Sequence, residues 1–300
     1  MFERLTSCRN STTYDRRFCL VIEVTRQPGT DNMQPDDIGD TTMTDTVLIF
    51  TGHVVPERAA ITIGPITFGI GANPDLPQST LYLEILLSQI HARLVCPTPP
   101  SNILTARNIV VDAVRSILDV GGFIGGRGID AEIVQVTAAD GSHNRVFDQD
   151  VPALSGLAER HGLTYDHLLQ LMSQPDSWYI RRALSDFRQA TTNPADTGFF
   201  CYRAVETLMQ YHALTAPGLT TKGAKWEEFR NHYGIDRANI DRIKEFADPV
   251  RHGDGLSVNE MTDENRADIF TRAWQIGIVI FLREHADSLG RRGDDSRRGT

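Results

Sequence analysis

Between residues 45 and 150 apolar and polar side chains alternate in short runs; after Pro152 they recur at helical spacing instead. Val47–Phe50, Ala60–Ile63 and Ile66–Ile70 are short apolar stretches punctuated by Gly64-Pro65 and by Gly69 and Gly71. Leu81, Leu83 and Ile85 alternate with Tyr82 and Glu84, and Ile90, Ala92 and Leu94 with Gln89, His91 and Arg93. A period of two over such windows predicts half-buried strands. Pro97-Thr98-Pro99-Pro100 ends this run. Ile103, Leu104, Val110, Val111, Val114, Ile117 and Leu118 then fall at helical spacing, which predicts one helix over about 102–118, closed by Gly121-Gly122. Ile129–Val136 reads as a further strand, and Asn144–Phe147 as its hairpin partner across the Ala139–Ser142 turn.

The second half contains no alternating stretch. Helices are predicted near 155–173, 176–190, 196–214, 223–232, 236–248 and 263–288. Cys201, Ala204, Val205, Leu208, Met209 and His212 share one helical face. The last helix has an N-cap candidate at Thr262 and acids at Asp263 and Glu264, where the helix dipole favours them. The fold class is therefore α+β: an N-terminal antiparallel sheet with one helix, then an all-α bundle. The predicted organisation is a mostly disordered segment over 1–44, an α+β domain over 45–150, a helical bundle over 151–289 and a loose tail over 290–300. Within 1–44 only Phe18–Val24 is strand-like, and Met43, just before the first strong strand, is a candidate start of translation.

Composition narrows the function classes. The chain has 300 residues, 40% hydrophobic and 23% charged, which is ordinary for globular domains. The longest strongly apolar run, Ile276–Leu282, is far short of the roughly 20 residues of a membrane span. No apolar leader with a small-residue cleavage site opens the sequence, so secretion is not expected. Cys8, Cys19, Cys96 and Cys201 form no CxxC pair, and a cytoplasmic location is expected. The net charge is −9. Residues 1–150 hold 11 basic and 18 acidic side chains, and residues 151–300 hold 19 and 21. No broad basic face for duplex DNA follows from these totals, although all three lysines (Lys222, Lys225, Lys244) lie in the second half.

The glycine-rich stretch Gly121–Gly128 follows a helix and precedes a strand, the reverse of a phosphate loop, so it reads as a helix stop, with Arg127 as a candidate anion contact. Asp148 and Asp150 are two acids where a hard cation wants about six oxygens. His161 and His167 are six apart, and His53, His91, His143, His232 and His285 have no partner at ligand spacing. No metal or other cofactor is expected. The stretch Ile240–Gly255 is more informative. Pro249 is predicted to end its helix, leaving Arg251 and His252 in a turn beside Gly253 and Gly255. There His252 is either a general base with Arg251 as phosphate clamp, or a structural histidine at a helix end.

The order FFCYRAVETLMQYH (199–212), Trp226-Glu227-Glu228-Phe229, IKEFADPVRHGDG (243–255) and a long apolar last helix resembles the HEPN superfamily over about 160–288. The resemblance implies a small helical bundle, usually a homodimer. Its members are either metal-independent RNases of toxin and defence systems or non-catalytic modules that bind nucleotides, RNA or proteins. The superfamily motif is an arginine, four to six residues, then a histidine. Upstream of His252 those positions hold Ala247, Phe246 and Glu245, so the histidine matches and the arginine does not. Arg203 and Glu206, one turn apart, either add charge to the site or form a polar pair across the bundle. The expectation is a degenerate, dimeric binding module for nucleic acid, a nucleotide or a protein partner, in bacterial defence or stress response. The alternative is a ribonuclease using Arg251 and His252. No membrane partner is expected.

Overall fold

The computed structural model describes residues 21–23, 45–57, 60–147, 151–216, 218–253 and 261–298. The disorder expected over 1–44 and the Asp148/Asp150 pair lie outside these residues, save for one short strand. The chain divides into two units, Met1–Gln149 and Asp150–Thr300.

The first unit contains β1 (Val21–Glu23), β2 (Thr46–Val55), β3 (Ile63–Ile70), β4 (Ser79–Leu86), β5 (Gln89–Cys96), α1 (Ile103–Gly125), β6 (Asp130–Ala138) and β7 (Asn144–Val146). They form one antiparallel sheet in the order β1-β3-β4-β5-β2-β6-β7. Alternation sets the register. Ile66, Leu83, Ala92, Phe50 and Val136 lie in one row across five strands, and Phe68, Leu81, Leu94, Leu48 and Ala138 in the next. All ten are buried, and Val110, Val114 and Leu118 of α1 share their core. Fully burying one such leucine or isoleucine contributes about 1.5–3 kcal/mol. A one-residue slip would turn each row to the other face.

Two sequence expectations need correction here. Ala60–Ile63 is strand only at Ile63. Ala60 takes a positive φ of 49°, and the next residues bond the β4–β5 turn: Ile61 N–H donates to Ser88 Oγ at 3.0 Å and Leu87 N–H to Thr62 Oγ1 at 3.2 Å. The second correction concerns Gly121-Gly122, which does not close α1. The helix runs to Gly125 and stops at Gly126, whose left-handed φ of 61° directs its N–H to the Gly122 carbonyl. Gly122 matters for space, since a Cβ there would stand 2.8 Å from the Arg127 carbonyl oxygen of the returning chain.

The second unit opens with a 3-10 turn at Pro152–Leu154. It continues as α2 (Leu157–Arg160), α3 (Tyr165–Met172), α4 (Ser177–Thr192), α5 (Thr197–Thr215), α6 (Lys222–Tyr233), α7 (Arg237–His252) and α8 (Asp263–Arg298). The face predicted for α5 is buried from Cys201 to His212, against Ile243, Phe246 and Ala247 of α7 and Ile269, Phe270 and Ala273 of α8. The N-cap of α8 is as expected, with Asn265 N–H donating to Thr262 Oγ1.

The departures again have local causes. The helix predicted over 155–173 is two helices, broken at Gly162 with its φ of 77°; Thr164 and His167 cap the second reciprocally. The backbone of α8 is helical to Arg298, across most of the stretch expected as a loose tail. Pro249 does not end α7. The helix loses one N–H donor there yet continues through His252 to Gly253, which is left-handed and donates to the Pro249 and Val250 carbonyls. Arg251 and His252 thus occupy the last helical turn, not a turn beyond it. Among the described residues, no helix is long and apolar enough to cross a membrane.

Candidate functional site

Glu206 faces away from the α5 core and meets two cations from different helices. Lys222 Nζ, in the first turn of α6, lies 2.8 Å from Glu206 Oε1. Arg251 Nη1, in the last turn of α7, lies 3.8 Å from Oε2. Both cations are substantially exposed. Beside them the buried ring of Tyr202 stacks on Trp226, centroids 6.0 Å apart. Burial, and then the nearby Glu206 and Asp248 charges, push the Tyr202 hydroxyl up to about 12, with Arg251 opposing. His252 is exposed at the end of α7. Successive helical side chains point about 100° apart, so Arg251 and His252 diverge from one another.

Arg203 is drawn to another place. Its guanidinium bonds Asp186 of α4 and lies over the rings of Phe199 and Phe200, 5.1 and 4.9 Å from their centroids. Asp186 is fully buried, and Arg182 also reaches it at 3.5 Å. Arg203 is therefore in a polar pair across the bundle. The structure joins Glu206 with Arg251 and separates Arg203 from both.

A second polar group lies between α5, α6 and α8. His212, in the last turn of α5, is buried and places Nε2 2.5 Å from Oε2 of Glu228. The His212 and His232 rings are 4.6 Å apart. One ligand atom from each of His212, Glu228 and His232 fits within 4.8 Å of the others, and the same is true of His232, Glu284 and Asp287. Glu284 is buried and accepts a hydrogen bond from the Tyr233 hydroxyl. Burial, and then that bond, push the Tyr233 hydroxyl far above its ordinary value. Histidine-to-histidine spacing along the chain does not reveal this group, because His212 and His232 lie on different helices. The available signal was Glu228 and His232, four apart on one helix. His285, by contrast, stacks on His167 at 4.3 Å and bonds Gln170 at 2.8 Å, which joins α8 to α3.

Residues 48–147 match the family model described as the N-terminal domain of DUF8168, a domain of unknown function, and residues 165–279 match the model of its C-terminal domain. No curated protein and no solved structure matches the chain. The two matches follow one another in order, one within each structural unit, and together span most of the sequence; the chain belongs to the two-domain DUF8168 family.

Proposed function

We propose that the helical unit is a HEPN-like module that binds a phosphate-bearing ligand, RNA or a nucleotide, without cleaving it. The observation that supports this most is the meeting of Lys222 and Arg251 at Glu206. Two exposed cations on one carboxylate leave positive charge for a phosphate, with His252 at the same helix end and Trp226 and Tyr202 alongside. Cleavage is disfavoured because it needs a base and a charge stabiliser converging on one phosphate. Arg203 is committed to Asp186, the positions upstream of His252 hold no arginine, and Arg251 and His252 diverge. In this reading the module is a two-fold homodimer, with the exposed Val279 of the otherwise buried α8 stretch 278–281 as one contact.

The test is anisotropy of labelled single-stranded RNA with the full chain in EDTA, with the RNA afterwards run on a denaturing gel. The expected result is binding with intact RNA. A Lys222→Ala/Arg251→Ala variant should bind about tenfold more weakly, with a salt dependence shallower by roughly one to two phosphate contacts. Absence of binding to both RNA and nucleotides would refute the proposal. So would RNA cleavage that a folded His252→Ala variant loses, which would establish the ribonuclease instead. A monomeric mass by light scattering would remove the dimer.

A further inference from the structure

We propose that His212, Glu228 and His232 form a binding site for one divalent transition-metal ion, with zinc the best match, and that Glu284 and Asp287 bound it from α8. The spacing supplies half the site. Glu228 and His232 are one helical turn apart and face the same way. His212 comes from the last turn of α5 to meet them, and its Nε2 already touches the Glu228 carboxylate. The ligand atoms of these three residues lie within 4.8 Å of one another. Around an ion with bonds of about 2.0–2.2 Å, such atoms stand roughly 3.3–3.5 Å apart. The ion would take the place of the direct His212–Glu228 contact, those two atoms opening by about 1 Å from 2.5 Å, while His232, which is only partly buried, would turn towards them.

The charge balance points the same way. His232 belongs to two triads, one with His212 and Glu228 and one with Glu284 and Asp287, and among the described residues no lysine or arginine ion pair is formed by any of these three carboxylates. Glu284 is 5% exposed, and its hydrogen-bond donor is the neutral Tyr233 hydroxyl. Burying a carboxylate without a cation is costly, and an ion held at His232 places two positive charges beside it. The Tyr233–Glu284 bond would then orient the ion's surroundings, as outer hydrogen bonds do at metal sites. Two imidazoles with one carboxylate suit zinc and its neighbours, and they suit magnesium or calcium poorly because those ions seek about six oxygens. Any proton held on a ligating nitrogen or oxygen passes to solvent when the ion binds.

The experiment uses the full chain, stripped with EDTA, dialysed, and titrated with zinc chloride by calorimetry, with bound metal counted by elemental analysis. One zinc per chain is expected, together with a higher melting temperature in zinc. His232→Ala and Glu228→Gln should each weaken binding at least about tenfold, while His143→Ala, in the other unit, leaves it unchanged. Glu228→Gln keeps the side chain's size and serves if His232→Ala fails to fold, as judged by circular dichroism. The proposal is overturned if wild-type protein takes up no zinc at about 100 μM, if both folded variants bind as wild type does, or if magnesium binds as tightly as zinc.

Discussion

Replacing Gly198 by alanine should destabilise the helical unit, although alanine is the better helix former. Gly198 is the second residue of α5, where that helix crosses α7. A Cβ there would stand 2.6 Å from Phe246 Cβ, 2.9 Å from its carbonyl carbon and 3.1 Å from its oxygen. Carbon atoms in contact settle at about 3.5–4.0 Å, so the helices must part by roughly 1 Å. None of the three atoms belongs to a flexible side-chain end that could swing aside. Forced overpacking of this kind costs about 1–3 kcal/mol. The propensity gain of alanine over glycine is at most about 1 kcal/mol in a helix interior and smaller in the first turn. The net expectation is a loss of about 1–2 kcal/mol. Gly223 offers a matched control, as it is the second residue of α6 and a Cβ there meets nothing within 4 Å. Gly223→Ala should be neutral or stabilising by up to about 1 kcal/mol. All three tryptophans, Trp178, Trp226 and Trp274, lie in the helical unit, so their fluorescence during urea unfolding reports on that unit alone. With a urea slope of about 2 kcal/mol per molar, the Gly198→Ala midpoint should fall by roughly 0.5–1 M. A Gly198→Ala protein as stable as wild type would show that the α5–α7 crossing is not this close.

Two further outcomes follow from the same unit. Arg203→Ala leaves the fully buried Asp186 carboxylate with only Arg182, which is itself 44% exposed; the expected loss is about 2–3 kcal/mol. Adding Asp186→Ala should restore part of it, and strictly additive losses in the double variant would contradict the pairing. For pH dependence, Tyr202 is raised to about 12, first by burial and then by Glu206 and Asp248, against about 10 in the unfolded chain. The unfolded state therefore releases this proton first. The contribution is fully present below about pH 10 and is lost as pH rises towards about 12. Tyr202→Phe should flatten the alkaline decline of the urea midpoint relative to wild type. The decline will not vanish, because burial also raises the Tyr233 hydroxyl, and identical alkaline profiles for variant and wild type would refute the assignment.

The two periodicities along the chain were enough to place an antiparallel sheet before a helical bundle. They also picked out the buried face of α5 from Cys201 to His212 and the strand faces built on Leu81, Leu83, Ile85, Ile90, Ala92 and Leu94. These are local properties, since a strand's alternation and a helix's stripe are written within a few consecutive residues. Strand order was not legible, and β2 lies between β5 and β6 although both come later in the sequence. Neither was the behaviour of Pro249 and of Gly121-Gly122. Each weakens a helix intrinsically, but a left-handed glycine a few residues further on supplies the actual stop. The polar groups were the least legible. Arg203 and Glu206 are three residues apart, yet one reaches Asp186 on α4 and the other reaches Lys222 and Arg251 on α6 and α7. His212, Glu228 and His232 meet because α5 and α6 pack side by side, with Glu284 and Asp287 added from α8. Sequence spacing places a side chain on a face of its own element, whereas the partner of a charge is chosen by which elements pack against that face, and that choice rests on burial summed over the whole unit.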